Sequence, residues 1–516
     1  MDRARPIETR SSANPGRSAA PRAPCSGSRG SQALAIRPDP AACQIMALAP
    51  DYRPDPLFQT LGSDFADPVA AADFPERRLR LRNDRAAATV GLDALTDGEW
   101  EAHFGRFTPL PGNQDGPLAL RYHGHQFRVY NPDLGDGRGF LFAQLRERDS
   151  DRLLDLGTKG SGQTPWSRGG DGRLTLKGGV REALATAMLE AQGVQTSRTL
   201  SLIETGENLE RTDEPSPTRS AVLVRLSHSH IRYGSFQRLA AIERPDLTRR
   251  LAEHVIGVYS TAEASGLAPA VAVMTRSVQN AATLTAAWMA AGFVHGVLNT
   301  DNMNINGESF DYGPYRFLPR NDPNFVAAYF DQTGLYSFGR QPEAVFWNLR
   351  ALAGALSTIT PVETLVDPLN RFGDAYRAAL AAAMVRRLGL RPTSTEADAE
   401  LANAVFRALA EGGETLRWEP FFFDWFGGEA SEVRALAGPR GRLYQGEAFL
   451  ALRRLFSARA ADRPERLALP YFQAPEPEEL LYDTIEDIWS AIAERDDWTP
   501  FVDKLARIEV MRQALA

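Results

Sequence analysis

HGVLNTDNMNINGESFDYGPYRF, residues 295–317, packs Asp301, Asn302 and Asp311 into eleven positions among residues as apolar as Val297, Leu298, Ile305 and Phe310. A lone Asp-Asn in a loop is ordinarily a turn. Two carboxylates and a carboxamide this close together, in a loop whose apolar residues would pin it to a core, form a set of hard oxygen ligands. Mg²⁺ asks for such ligands: it keeps several waters and takes one or two protein groups plus substrate phosphates. Asn302 and Asp311 meet that demand, and Asp301 is left free to act as a base toward an incoming hydroxyl.

Upstream lie groups suited to phosphates. LGDGRGF (134–140) carries Gly135, Gly137 and Gly139 on alternate positions, with Arg138 between two of them. Glycine lets a backbone approach an anion or reach positive φ, and a guanidinium adds a fork of donors. Taken alone, such a run is an ordinary hairpin turn, but GDGR recurs at 170–173 with Asp171 and Gly172. GFLFAQLRE (139–147) and RLLDLGTKG (152–160) read as a β-hairpin that ends on Lys159. A lysine there is either a solvated edge residue or, as in a kinase-like lobe, a partner of nucleotide phosphates. Glu182 lies 23 residues on, in what reads as the first turn of a helix over 178–193. It is a helix N-terminal acid by itself and the residue that orients Lys159 if the two are a pair. Arg225 and Arg232 flank LSHSHI and could clamp a polyphosphate or lie on a charged surface. His228 and His230 are expected as polar packing residues. DYG (311–313) takes the place of a kinase's metal-binding DFG, and Asn302 that of the catalytic-loop asparagine. His295-Gly296 precedes them without an Arg-Asp pair, so the usual HRD is missing and a standard protein kinase is disfavoured.

The 516 residues, 43% hydrophobic and 24% charged, have room for two or three domains or one elaborated enzyme. A net charge of -7 argues against a dedicated nucleic-acid binder, and no apolar run is long enough for a membrane span. Cys25 and Cys43 are the only cysteines, so a disulfide framework and a Cys-based metal site are both excluded from the rest of the chain, as suits a reducing, cytoplasmic protein. Residues 1–46, rich in Arg, Ser, Ala and Pro, read as a disordered extension. They are either an over-long start with Met46 as initiator or a mitochondrial transit peptide. Strands are expected at 199–204 and 221–227, helices at 247–266, 278–293, 342–358, 366–388, 395–411, 444–460 and 476–495, and only weak signals over 57–105. The fold class is α+β, a β-rich first part leading into a helical second part.

Together these residues resemble the selenoprotein O family, kinase-fold protein adenylyltransferases once called pseudokinases. The stretches that carry the resemblance are YHGHQF (122–127), LGDGRG (134–139), KGSGQTPWSRGGDGR (159–173), REALATAM (181–188), HSHIRYGSF (228–236), HGVLNTDNMNINGESFDYGP (295–314) and YSFGRQPEAVFWNL (336–349), in family order. The resemblance implies a protein kinase-like fold: a family-specific segment over 47–118, an N-lobe over 119–240, a C-lobe over 241–390 and further helices over 391–516. It implies an inverted ATP, with AMP passed to Ser, Thr or Tyr hydroxyls of other proteins and pyrophosphate leaving. By the same resemblance Asp301 is the proton acceptor, Asn302 and Asp311 bind Mg²⁺ or Mn²⁺, and Lys159, Arg225 and Arg232 contact phosphates. Glu182 orients Lys159, and Gly135, Gly137, Arg138, Asp171, Gly172 and Asp311 complete the ATP site. Some relatives use Mn²⁺ with UTP. A conventional γ-phosphate kinase and an inactive nucleotide-binding scaffold are the alternatives, and a monomer is expected. Relatives often end in a redox Cys or selenocysteine pair, whereas this sequence ends EVMRQALA.

Overall fold

A computed structural model describes residues 48–212, 214–259 and 266–516. The expectations for residues 1–46, including Cys25 and Cys43, lie outside them. Among the described residues ten strands, with three helices between them, precede Tyr233: β1 (Ala66–Pro68), β2 (Arg78–Arg82), β3 (Leu118–Leu120), β4 (Gly124–Gln126), β5 (Val129–Asn131), β6 (Leu141–Arg146), β7 (Leu153–Lys159), β8 (Leu174–Thr175), β9 (Arg198–Leu209) and β10 (Thr218–Ser227). Eight form one sheet in the order β1-β3-β6-β7-β10-β9-β2, with β8 paired to β10, and every pairing in it is antiparallel. β4 and β5 form a separate hairpin.

The expected hairpin at 139–160 is present as β6 and β7, and its strands are buried almost throughout because both sheet faces are covered. Leu141, Leu153, Leu202 and Leu223 pack with Val180 and Leu184 of the helix Leu176–Ala191. The alternate residues Phe142, Leu154, Leu156, Val222 and Val224 pack with Trp100 and Phe104 on the other face. The second cover comes from the segment whose sequence signals were weak. There the helix Asp97–Phe104 starts on a capping box in which Thr96 and Glu99 satisfy each other's backbone. Fully burying each of these large apolar side chains contributes about 1.5–3 kcal/mol.

Beyond the sheet the chain is helical, as the sequence suggests, with adjusted boundaries. The helical part begins before the first helix expected there, 247–266, with the helix Tyr233–Ala241. The single helix expected over 366–388 is two, Glu363–Asn370 and Phe372–Arg387, with Pro368 near the end of the first removing a backbone donor. The one expected over 476–495 begins only at Tyr482, after Pro475 and Pro477, and a last helix, Thr499–Leu515, was not anticipated. No helix among the described residues is long and apolar enough to cross a membrane.

Two short strands, β11 (Phe293–Val294) and β12 (Arg316–Phe317), pair antiparallel and close residues 295–315 into a loop. Leu298, Met303 and Ile305 anchor this loop in the main core, and Phe310 is fully buried. That anchoring explains the apolar residues interleaved with the acids.

Candidate active site

The loop's polar groups and the sheet's cationic groups meet in one cavity of about 770 Å³. Gly135, Gly137, Arg138, Lys159, Asp171, Gly172, Arg225, Arg232, Asp301, Asn302 and Asp311 all line it. Of the candidate site residues the sequence suggests, Glu182 is the one set back from the wall, directly behind Lys159.

Lys159 ends β7, and Arg225 lies on the neighbouring β10, opposite Gly157 in the strand register. Glu182 reaches Lys159 Nζ with Oε2 at 2.5 Å, and Arg225 Nη1 approaches its other oxygen at 3.4 Å. It stands in the second turn of its helix rather than the first, because the helix begins at Leu176 under a Thr175 cap. Its place relative to Lys159 therefore comes from helix-on-sheet packing and not from the helix N-terminus.

Asp311 is the point of convergence. Arg225 Nη1 donates to Oδ1 and Arg232 Nη1 to Oδ2, each at 2.6 Å, with Lys159 Nζ at 3.8 Å from Oδ1. Burial alone would raise this carboxyl, but the two guanidiniums and the ammonium outweigh it and hold Asp311 well below the usual carboxylate range. Its φ is +60°, a left-handed conformation that costs a non-glycine residue about 1–2 kcal/mol. The three cationic partners fix it there.

Asp301 has the opposite environment. Its Oδ1 is buried without a hydrogen-bond partner among the described residues, and burial pushes its pKa up to about 6, against the pull of Arg232. Arg232 Nη1 donates to the Asp301 main-chain carbonyl at 2.8 Å, so one guanidinium ties both acids together. The β4–β5 hairpin holds the same loop from outside: His125 N donates to Thr300 Oγ1 at 2.7 Å and Phe127 N to Asn299 Oδ1 at 3.0 Å.

The glycine run meets a packing demand that its sequence does not suggest, and one expectation for it, positive φ, is not met. Gly135, Gly137 and Gly139 do not adopt positive φ among the described residues. A Cβ on Gly135 would lie 2.4 Å from the Trp166 ring, and one on Gly137 would lie 2.8 Å from the Trp166 carbonyl. The 163–170 segment packs against the run, with Thr164 Oγ1 donating to the Asp136 carbonyl at 2.6 Å and Ser167 Oγ to that of Gly137 at 2.5 Å. Gly172 does need positive φ, at +68°. Asp171 receives Arg211 at 2.8 Å at the cavity rim.

Sequence reasoning passed over Asp136, Trp166 and Arg168, which also line the cavity. Asp136 is buried, accepts from Leu120 N at 3.0 Å and faces Arg232 Nη2 at 3.4 Å. Its position between Gly135 and Gly137 was the only signal available. Trp166 lies within the quoted 159–173 stretch, but nothing local shows that it packs on a distant glycine run.

Among the described residues no group of three or more His, Cys, Asp or Glu side chains is placed to hold a metal ion. The 295–315 loop brings two carboxylates and one carboxamide, from Asp301, Asp311 and Asn302, to one side of this cavity. Asn302 and Asp311 offer oxygen ligands alone, which suits a hard divalent cation that shares its shell with phosphates, and the unpartnered Asp301 Oδ1 stays free beside them.

A family model described as "Protein adenylyltransferase SelO" matches residues 48–509. A "Protein nucleotidyltransferase YdiU" of Gloeobacter violaceus is 46% identical over 473 residues, covering 89% of this chain and 95% of the relative. One of Synechocystis is 44% identical over 481 residues, covering 88% and 97%, and one of Pseudomonas putida is 39% identical over 364 residues, covering 70% and 73%. The match takes in the sheet, the loop that carries Asp301, Asn302 and Asp311, and most of the helical region, and the chain belongs to the SelO family of protein adenylyltransferases.

Proposed function

We propose that this chain transfers AMP from ATP to Ser, Thr or Tyr hydroxyls of other proteins and releases pyrophosphate. We read the fold as kinase-like, with an N-lobe over 119–240 covered by 47–118, a C-lobe over 241–390 and a helical region over 391–516. The observation that carries the reading is the convergence of Lys159, Arg225 and Arg232 on Asp311, next to an Asp301 carboxylate with one oxygen unpartnered.

Lys159, Arg138, Arg225 and Arg232 bind the polyphosphate, and Glu182 holds Lys159 in place. Gly135, Gly137, Asp171 and Gly172 form the wall and rim along which the nucleotide lies, its α-phosphate toward Asp301. Asn302 and Asp311 would hold Mg²⁺ or Mn²⁺, which when bound neutralises charge on the phosphate oxygens. The acceptor oxygen attacks the α-phosphorus, its proton passes to Asp301 Oδ1, and the bond to the bridging α–β oxygen breaks so that pyrophosphate departs. Asp301 suits the proton transfer because its pKa, raised to about 6, lies near neutral while leaving it largely ionised at pH 7. The cationic wall acts mainly by electrostatic stabilisation, which such transfers need more than covalent help.

Mass spectrometry of an acceptor protein incubated with the chain, ATP and Mg²⁺ or Mn²⁺ tests this. An adenylyl ester on a hydroxyl side chain is the expected product. A phosphoryl group in its place would establish the kinase reading, and an unmodified acceptor with ATP bound would establish the scaffold.

A further inference from the structure

We infer that His230 is a positioning residue that fixes the guanidinium of Arg225 through a single imidazole tautomer, with Asp155 behind it setting that tautomer. Arg225 Nε donates to His230 Nε2 at 3.2 Å, and on the far side of the ring His230 Nδ1 meets Asp155 Oδ2 at 3.2 Å. A guanidinium Nε–H can only donate, so Nε2 must be bare, and the ring proton must sit on Nδ1, where the carboxylate accepts it. Turning the ring over would set carbons against both partners.

The surroundings hold this arrangement from every side. Asp155 Oδ2 also accepts from His230 N at 2.8 Å, and Asp155 Oδ1 accepts from Gln144 Nε2 at 2.7 Å. The Gln144 carbonyl oxygen Oε1 in turn accepts from Phe58 N at 2.6 Å, which fixes the amide's orientation. All four side chains are buried. The ring reaches Arg225 only because residue 157, opposite Arg225 in the strand pairing, is glycine: a Cβ there would lie 2.0 Å from His230 Nε2. With Nε tethered, Arg225 Nη1 faces Asp311 and Glu182, the two carboxylates that meet Lys159. The chain Gln144–Asp155–His230–Arg225 thus runs from the core of the sheet to the cavity wall. It moves no proton, and it gives the phosphate-facing guanidinium one orientation.

What Arg225 does for the nucleotide rests on the function proposed above; the tautomer does not. Nitrogen-15 spectra of histidine-labelled protein should show a neutral histidine protonated on Nδ1 and bare on Nε2, absent in His230→Phe. A His230 signal protonated on Nε2, or on both nitrogens, near pH 7 would overturn the inference. The second measurement is the dissociation constant for ATP with Mg²⁺ in a double-mutant cycle. His230→Phe keeps the volume but removes the acceptor and should weaken ATP about 10- to 100-fold. His230→Gln keeps an acceptor and should recover most of that loss. In an Arg225→Ala background the His230→Phe effect should vanish, and an equal loss there would show that His230 acts on folding rather than on Arg225. A wild type that binds ATP but transfers no AMP would refute the proposed activity and leave both readouts decisive here.

Discussion

Asp311 carries more of the account than any other residue, because three cations and a left-handed backbone meet at one carboxylate. Asp311→Ala should reduce AMP transfer by at least about 10²–10³-fold in steady-state assays. It should also lower stability by about 3–5 kcal/mol in denaturant titration, since Arg225 and Arg232 would be left buried without their common counter-charge. A second prediction concerns Glu308, whose pKa burial raises from 4.5 to about 7 against the N–H of His228. The folded state therefore holds that proton more tightly than the unfolded one. Its contribution is full below about pH 4.5 and is lost as pH rises through about 7. Glu308→Gln cannot ionise, so it should gain about 1–3 kcal/mol on the wild type between pH 5 and pH 8 in denaturant titrations. At this scale Asp301, Asn302 and Asp311 were legible because they are neighbours in sequence. Asp136 was not, since only the fold brings Arg232 to it, and His230 was not, since its partner Asp155 is likewise distant in the chain. Positive φ was the wrong expectation for Gly135 and Gly137, and their room for Trp166, a contact between distant stretches, was not legible.

At the scale of elements, the helix Leu176–Ala191 decides whether Lys159 has its partner, and it is held from two sides. The sheet lies under it, and the C-terminal helix Thr499–Leu515 packs on it, with Ile508 and Met511 in the same core as Val180 and Leu184. Lys177 Nζ to Glu486 Oε2 at 2.7 Å adds a tie to the helix Tyr482–Arg495. Met511→Ala should cost about 2–5 kcal/mol of stability by opening a cavity in this layer. It should also weaken ATP binding well below the unfolding temperature, because the helix that carries Glu182 loosens; calorimetric titration of ATP checks this. An unchanged ATP affinity would mean that the sheet alone positions Glu182. The helix Leu176–Ala191 was legible, over 178–193, from the glycines at its start and the closing Gly193. The helix Thr499–Leu515 was not, because Val502 and Val510 lie exposed while Phe501, Ile508 and Met511 are buried, so apolar residues fall on both faces and blur the period.

At the scale of the molecule, the order of a β-rich part followed by a helical part was legible because strand and helix periods segregate along the chain. The covering of the second sheet face by the segment before β3 was not. Its elements are short, and they become regular only against the strands they cover. The cavity lies where the ends of β7 and β10 meet the 295–315 loop, so elements far apart in sequence supply its cations and its acids. In such an arrangement the orientation of the nucleotide decides the reaction: an α-phosphate at Asp301 gives AMP transfer, and a γ-phosphate there gives phosphorylation. The most direct test is transfer of label to an acceptor protein from ATP labelled at the α or at the γ position, with Mg²⁺ or Mn²⁺ present. The account predicts protein-bound label from α and none from γ, and its loss in Asp301→Ala. Protein label from γ and never from α would contradict it.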